Sequence, residues 1–357
     1  MAEYRISEIL PQDRRGLEQV NRLLEKEGIQ RDKNLDYTAG LYDENYRLAA
    51  TGSCFGNTLR CLAVDSDFQG EGLAGLLISH LVEYQYSRGN FHLFLYTKCS
   101  KTMFFKELGF YEIVRADGEA VFMENKKDGF SRYLKQLLQE TQADRAVPPH
   151  SRFPIGAVVM NANPFTLGHQ YLIEQAAAAC GLLHLFVVSE DASVIPFPVR
   201  FQLVKNGISH LSNVALHKTG SYLISNATFP SYFLKDEESA ICSHAILDMR
   251  MFQKIADALS VSVRFVGEEP FSQVTGLYNH IMVQEAEKGG PLSIKVIPRL
   301  EQNARPVSAS LVRSLIHDGR MEEIRPLVPE TTYRYFTSEE ALPVIQAIQN
   351  SAQVIHY

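Results

Sequence analysis

The sequence is poor in the features that mark exported, membrane-spanning or nucleic-acid-binding chains. Its five cysteines, Cys54, Cys61, Cys99, Cys180 and Cys242, form no C-x-x-C pair and lie on apolar segments. Neither a zinc site nor a disulfide framework is expected, and a reducing, cytoplasmic setting fits best. No apolar run approaches the roughly 18 residues that cross a bilayer. The opening Met-Ala-Glu-Tyr-Arg lacks the apolar core of a signal peptide. No fixed-period repeat or low-complexity tract is present. With a net charge of −6 there is no broad basic face for nucleic acid or an anionic membrane, so anionic ligands must be held by local groups.

What is present is an ordinary globular composition, 45% hydrophobic and 21% charged, over 357 residues, enough for two domains. The first half begins with an amphipathic helix around 11–27. Short strands follow at 37–42, 47–55 and 58–64, with Gly56-Asn57 as the hairpin turn between the last two. After a glycine-bearing loop come a helix to about Arg88, a strand at 91–96, a helix at 101–108 and a strand at 109–113. A charged stretch containing the amphipathic segment 130–138 and ending in Val147-Pro-Pro-His150 reads as a joint. The expected organisation is a first domain over 1–125, a helical linker over 126–150 and a second domain over 151–357. The second half alternates strand and helix: strands at 155–160, 183–188, 214–217, 262–266 and 292–297, with helices at 167–180, 199–211 and 238–259 and more from Ser308 onward. That alternation predicts a doubly wound parallel sheet, whose ligands lie beyond the carboxyl ends of its strands.

The most informative stretch runs Gly156-Ala-Val-Val-Met-Asn-Ala-Asn-Pro-Phe-Thr-Leu-Gly-His169. An apolar strand breaks at Asn163-Pro164, and Thr166 is placed to cap the next helix. A strand feeding a helix N-terminus offers free backbone N–H groups and a partial positive charge, which suits phosphate. Gly168 lets a ligand approach the backbone, and His169 can donate an imidazole N–H to the same oxygens. Three further segments fall at strand ends. Gly267-Glu268 follows a strand, Ser189 to Arg200 is a proline-rich loop delivering Arg200, and Ser308-Ala-Ser310-Leu-Val-Arg313 opens a helix with two hydroxyls and a guanidinium. Taken singly, each is also what a helix cap or a solvated arginine looks like.

The second half resembles the HxGH nucleotidyltransferase superfamily, with Ser308-x-Ser310-x-x-Arg313 similar to its downstream element. More specifically, Asn161-x-Asn163-Pro-Phe165-Thr166-x-Gly168-His169, the following Tyr171-Leu-Ile-Glu174 and the loop Val266 to Phe271 resemble the citrate lyase ligase family, over nearly the whole chain. The fold implied is α/β, an N-terminal GNAT-like mixed α/β domain followed by a doubly wound, Rossmann-like (HUP) nucleotidyltransferase domain. The resemblance implies ATP binding at Asn161, Asn163, Phe165, Gly168, Arg200, Gly267, Glu268, Ser308 and Ser310, with His169, Thr166 and Arg313 catalytic. Thr166 stands where the wider superfamily has a first histidine, which leaves it a positioning role. The implied reaction joins acetate to ATP as acetyl-adenylate with loss of pyrophosphate. The acetyl group then passes to the thiol of the phosphoribosyl-dephospho-CoA arm on the acyl-carrier (gamma) subunit of citrate lyase, releasing AMP. Mg²⁺ on the phosphates is expected, without an assigned set of protein ligands.

In the first half, Gln69-Gly70-Glu71-Gly72-Leu73-Ala74 resembles the diphosphate loop of GNAT acetyltransferases. This implies that Gln69, Gly70, Gly72 and Ala74 hold a CoA-like arm. Phe104-Phe-Lys-Glu-Leu-Gly-Phe110 resembles the last motif of those enzymes, but Phe105 stands where many carry a general-acid tyrosine, and a phenyl ring cannot protonate a thiolate. Three other readings remain open from the residues. They are an adenylyltransferase acting on a phosphate-bearing small molecule, an N-acetyltransferase with a nucleotide-sensing second half, and a binding module.

Overall fold

The computed structural model describes residues 4–33, 35–144, 153–189, 193–223, 229–230, 232–234, 237–268, 273–302 and 305–351. By contact the chain divides into two compact units, Met1–Arg132 with Phe229–Leu247, and Tyr133–Thr228 with Asp248–Tyr357.

The first unit is a seven-stranded sheet of β1 (Arg5–Glu8), β2 (Tyr37–Tyr42), β3 (Leu48–Phe55), β4 (Thr58–Val64), β5 (Phe94–Lys98), β6 (Tyr111–Ala116) and β7 (Ala120–Glu124), in the order β1-β2-β3-β4-β5-β7-β6. Neighbours run antiparallel except β4 and β5, which are parallel and paired only at Thr58–Phe94 and Leu59–Leu95. Beyond Leu59 and Leu95 the ladder stops, which leaves an opening between the carboxyl ends of the two strands. Helices α1 (Arg14–Lys26), α2 (Leu73–Ser87) and α3 (Thr102–Glu107) complete the unit. Leu73, Leu77 and Leu81, four residues apart, put one face of α2 into the core with Ala39, Ala50 and Leu95. A Cβ at Gly52 would meet Leu81 and Leu62 side chains at 2.8 Å, so the small residue sets how closely helix and sheet approach. The sequence divides the halves near 126–150, whereas contact draws Phe229–Leu247 into this first unit. The Gln30 N–H donates to the Tyr232 carbonyl at 2.7 Å, and Phe229 meets Tyr96 edge-on at 5.4 Å.

The joint is a helix, α4 (Gly129–Asp144), longer than its amphipathic core suggested. Glu124 accepts from the Phe130 N–H at 2.9 Å.

The second unit has five parallel strands, β8 (Ile155–Met160), β9 (Leu182–Val187), β10 (Val214–Lys218), β11 (Val263–Gly267) and β12 (Ser293–Ile297), in the order β10-β9-β8-β11-β12. The chain steps outward from β8 to one side, then returns to its other side at β11. The gap beyond the carboxyl ends of β8 and β11 is therefore the switch point of the doubly wound sheet. Its helices are α5 (Leu167–Ala178), α6 (Phe197–Gly207), the part of α7 (Glu237–Leu259) from Asp248 onward, α8 (Gln273–Gly289), α9 (Ala309–His317), α10 (Glu330–Phe336) and α11 (Leu342–Gln349). Glu301–Gln302 and Arg305–Pro306 form a short pairing after β12, which the sequence reading took as the last strand. Every residue of β9 is buried, as an apolar run between two helix layers requires. His184 on β9 and His217 on β10 are buried and joined at 3.0 Å, with Glu140 of α4 at 3.1 Å from the far nitrogen of His217. Burial, then the neighbouring His217, lowers the His184 pKa to about 3. Among the described residues no helix is long and apolar enough to cross a membrane.

Candidate functional site

Between β8 and α5, at the switch point, the chain passes through Ala162 with φ +52° and a cis Asn163-Pro164 bond. Phe165 is fully buried, and a Cβ at Gly207 would collide with its ring. It is thus a core anchor beneath the loop rather than the ligand contact expected from the sequence. Asn163 is only 3% exposed, and neither its side-chain nitrogen nor its oxygen has a hydrogen-bond partner among the described residues. A buried amide left unmatched costs roughly 1–3 kcal/mol, so native chains seldom keep one without a use.

Thr166 is the N-cap of α5, and His169 is its capping-box partner. The Thr166 hydroxyl accepts from the His169 N–H at 3.3 Å, while His169 Nδ1 accepts from the Thr166 backbone N–H at 3.1 Å and lies 2.9 Å from its hydroxyl. Because Nδ1 is an acceptor, the neutral ring carries its proton on Nε2, which makes no hydrogen bond to the described residues. Burial, then the charge of Arg299, lowers the pKa of His169 to about 4. The imidazole is therefore a neutral donor rather than a cation. The N–H groups of Leu167 and Gly168 also lack acceptors among the described residues. A Cβ on Gly168 would lie 2.8 Å from the Val307 carbonyl, so its small size admits the chain's own backbone where a ligand was expected.

Val307 leads into α9, which brings the downstream motif against this loop. Ser308 caps α9, accepting from the Leu311 N–H at 3.1 Å. Arg313 is 2% exposed, donates to the Asn163 carbonyl at 2.5 Å and reaches the Ser310 hydroxyl at 3.4 Å. Burial lowers its pKa from the usual value. Arg200 is fully buried and binds the carbonyls of Asn161, Val188 and Ile195 at 2.6, 3.0 and 3.0 Å and the Asn161 side chain at 2.8 Å. From the sequence, Arg200 was expected to bind ATP and Arg313 to be catalytic. Their burial and carbonyl partners instead make them ties that fix the loops after β8 and β9. Asn161 is held further by Ser193, 3.1 Å away.

Gly267 closes β11, and among the described residues a Cβ there would meet only Leu172, at 3.8 Å. Glu268 is exposed, with its N–H on the Ile297 carbonyl at 2.9 Å. Residues 269–271 of the expected loop lie outside the described residues. Arg299, two residues past β12, is a cation near His169 that the sequence reading missed. Its position after a strand end, in Ile297-Pro-Arg299, was the available signal.

In the first unit, a cavity of about 560 Å³ lies where β4 and β5 part. Gln69, Gly70, Gly72 and Ala74 all line it. Gly70 and Gly72 take φ of +92° and +77°, and a Cβ on either would meet nothing within 4 Å. The glycines therefore serve the backbone conformation and leave the loop surface open. Gly72 caps α2 with no side-chain hydrogen bond, and the Leu73 and Ala74 N–H groups have no acceptor among the described residues. The loop entrance is braced by Lys26 and Arg47 on Asp65 and Asp67, at 2.5 to 3.3 Å. Phe105 lines the cavity, 7% exposed. So do Tyr232 and Phe233, aromatic residues without periodicity, which from sequence alone look like core. Burial raises the Tyr232 hydroxyl pKa further above its usual value.

A family model described as the citrate lyase ligase C-terminal domain matches residues 155–336. The chain is 39% identical over 330 residues to the [citrate [pro-3S]-lyase] ligase of Klebsiella pneumoniae, covering 91% of this chain and 94% of that protein. It is 38% identical to the protein of the same name from Haemophilus influenzae, covering 90% and 96%, and 38% identical to that of Escherichia coli, covering 85% and 86%. Among solved structures, the ribosomal-protein-S18-alanine N-acetyltransferase of Escherichia coli aligns with 34% of this chain and 92% of its own at 22% identity and a TM-score of 0.28.

Proposed function

The chain belongs to the citrate lyase ligase family, and on that premise we propose that it uses ATP to acetylate, and so activate, the acyl-carrier subunit of citrate lyase. The observation that carries the site assignment is the convergence of unmatched polar groups at one loop. These are the Asn163 amide, the Leu167 and Gly168 N–H groups and the His169 Nε2–H, all between β8 and the first turn of α5. Donors of this kind, fixed before the substrate arrives, suit phosphate oxygens that gain charge during transfer.

In the first step a carboxylate oxygen of acetate attacks the α-phosphorus of ATP. An O–P bond forms, the bond to the β-phosphate oxygen breaks, and pyrophosphate leaves with the electron pair. Catalysis here is alignment and neutralisation, and no protein nucleophile is needed. His169 donates from Nε2, Asn163 receives or donates through its amide, and Arg313 and Arg200 hold the loops that carry them. In the second step a thiolate attacks the acetyl carbon, the C–S bond forms, and AMP leaves as the C–O bond breaks.

No group of three His, Cys, Asp or Glu side chains that could hold a metal is found among the described residues. An Mg²⁺ ion would be bound through the substrate's phosphates. The thiol belongs, in this reading, to the phosphoribosyl-dephospho-CoA arm, which the pocket between β4 and β5 receives. The open glycine loop and the uncapped start of α2 would take its diphosphate, and the apolar interior its flexible chain.

The test follows pyrophosphate and AMP release from Mg-ATP and acetate, with and without thiol-form citrate lyase, alongside the acetyl content of the lyase. Acetate-dependent release with stoichiometric acetylation is expected. Acetylation from acetyl-CoA without ATP, or a dinucleotide product, would overturn the reading.

A further inference from the structure

Two lysines line the pocket of the first unit, and among the described residues neither side chain has a counter-ion. Lys98 is the last residue of β5 and Lys101 is the N-cap residue of α3. Both border the cavity and both are exposed, so their ammonium groups stand at its mouth. Among the described residues neither makes an ion pair or a side-chain hydrogen bond. The basic groups beside the glycine loop are engaged, since Lys26 and Arg47 hold Asp65 and Asp67. The pocket's carboxylate is engaged too, with Glu27 accepting from the Ser66 N–H at 2.9 Å. In a chain of net charge −6, two unmatched cations at one opening mark a place for an anion.

That anion is distinct from the diphosphate. The donors suited to a diphosphate are Gly70, Gly72 and the start of α2, at the end of β4. The lysines lie at the end of β5, and the two strands stop pairing after Leu59–Leu95, so the two sets of donors line one cavity from separate strand ends. Strands advance about 3.3 Å per residue, which puts Lys98 about 10 Å and the end of β4 about 16 Å past the last pair.

We propose that Lys98 and Lys101 receive a third phosphate, carried on the nucleotide end of the ligand in addition to its diphosphate. The proposal rests on the reading of this pocket as the site of a CoA-like arm. Such a phosphate occurs as the 3′-monoester of free CoA and as the diester that joins an arm to a carrier protein.

Calorimetric titration of the full chain with CoA and with dephospho-CoA, which lacks that phosphate, tests it. The Lys98→Ala/Lys101→Ala variant should bind CoA about tenfold more weakly and dephospho-CoA within about twofold of wild type, the size expected for charge-assisted contacts near solvent. Equal loss for both ligands would assign the lysines to the diphosphate, and no loss for either would leave them without a ligand role. Either result overturns the proposal. Failure of wild type to bind either ligand would remove the arm reading itself. Titration with the arm-bearing carrier distinguishes the sources. A similar loss assigns the phosphate to the protein-borne arm, and unchanged affinity assigns it to free CoA.

Discussion

The guanidinium of Arg313 donates to the main-chain carbonyl of Asn163, 150 residues earlier in the chain. A residue at the second turn of α9 thereby fixes the loop between β8 and α5. Arg313→Met removes the donor and leaves that buried carbonyl unmatched, at an expected cost of about 1–3 kcal/mol in stability. Displacement of the loop should lower pyrophosphate formation by about 100-fold. Thermal unfolding and a pyrophosphate assay check the two together, and a variant that loses neither would show that the tie is dispensable.

Asn163 makes the opposite separation. Replacing a buried amide that has no partner with a side chain of similar volume removes two unmatched atoms, so Asn163→Leu should leave the free protein as stable as wild type or slightly more so. ATP affinity should fall by about 10- to 100-fold, corresponding to about 1–3 kcal/mol of lost hydrogen bonding. Calorimetry of unfolding beside nucleotide titration reads both effects. A destabilised variant with normal ATP binding would remove Asn163 from the site.

His169→Ala should lower pyrophosphate release by roughly 100-fold, as for removal of one preorganised donor. The ring's protonation has a separate consequence. Its pKa in the folded chain is about 4, and that of His184 about 3, against 6.5 for an ordinary histidine. The unfolded chain therefore takes up protons, as pH falls below about 6.5, that the folded chain refuses. The stability these groups contribute is complete above about 6.5 and declines as the pH falls toward 4 and 3. Melting temperatures across pH 7.5 to 4.5 should show this fall, and the NMR shifts of the His169 ring nitrogens should stay constant down to about pH 5. Titration of that ring near 6.5 would contradict the assigned tautomer.

Gly70→Val and Gly72→Val place β-branched residues at φ of +92° and +77°. Each should cost about 1–2 kcal/mol or force the loop to rearrange. Carrier acetylation should drop while acetate-dependent pyrophosphate release persists, because the proposed mechanism assigns the two steps to different units. Unchanged acetylation by a folded double variant would end the case for an arm in this pocket.

Much of this architecture was legible because its signals are local. β2, β4 and β8 lie where alternation and apolar runs put them, and Thr166 caps α5 as its position before a helical alanine run implies. What escaped depends on distant partners. β1 is a charged four-residue strand with little burial, β5 begins three residues later than expected because Phe91 is exposed, and β7 and α8 were not identified. The sequence displays Arg200 and Arg313 beside loops and hydroxyls, which suits phosphate. It does not show that both are buried against carbonyls. The aromatic wall of Tyr232 and Phe233 lies more than 100 residues from the glycine loop it faces, beyond any spacing argument.

The capping box that opens α5 departs from common usage in its partner residue. Glutamate or glutamine ordinarily fills that place, because a carboxylate or amide closes the cap and favours the helix dipole. An engineer seeking a more stable helix would write Glu at position 169, and the result would be a firmer start to α5 with a negative charge set against incoming phosphate. On the proposed role of His169, thermostability and turnover compete for a single side chain, and selection for stability alone would be expected to erase the activity there first.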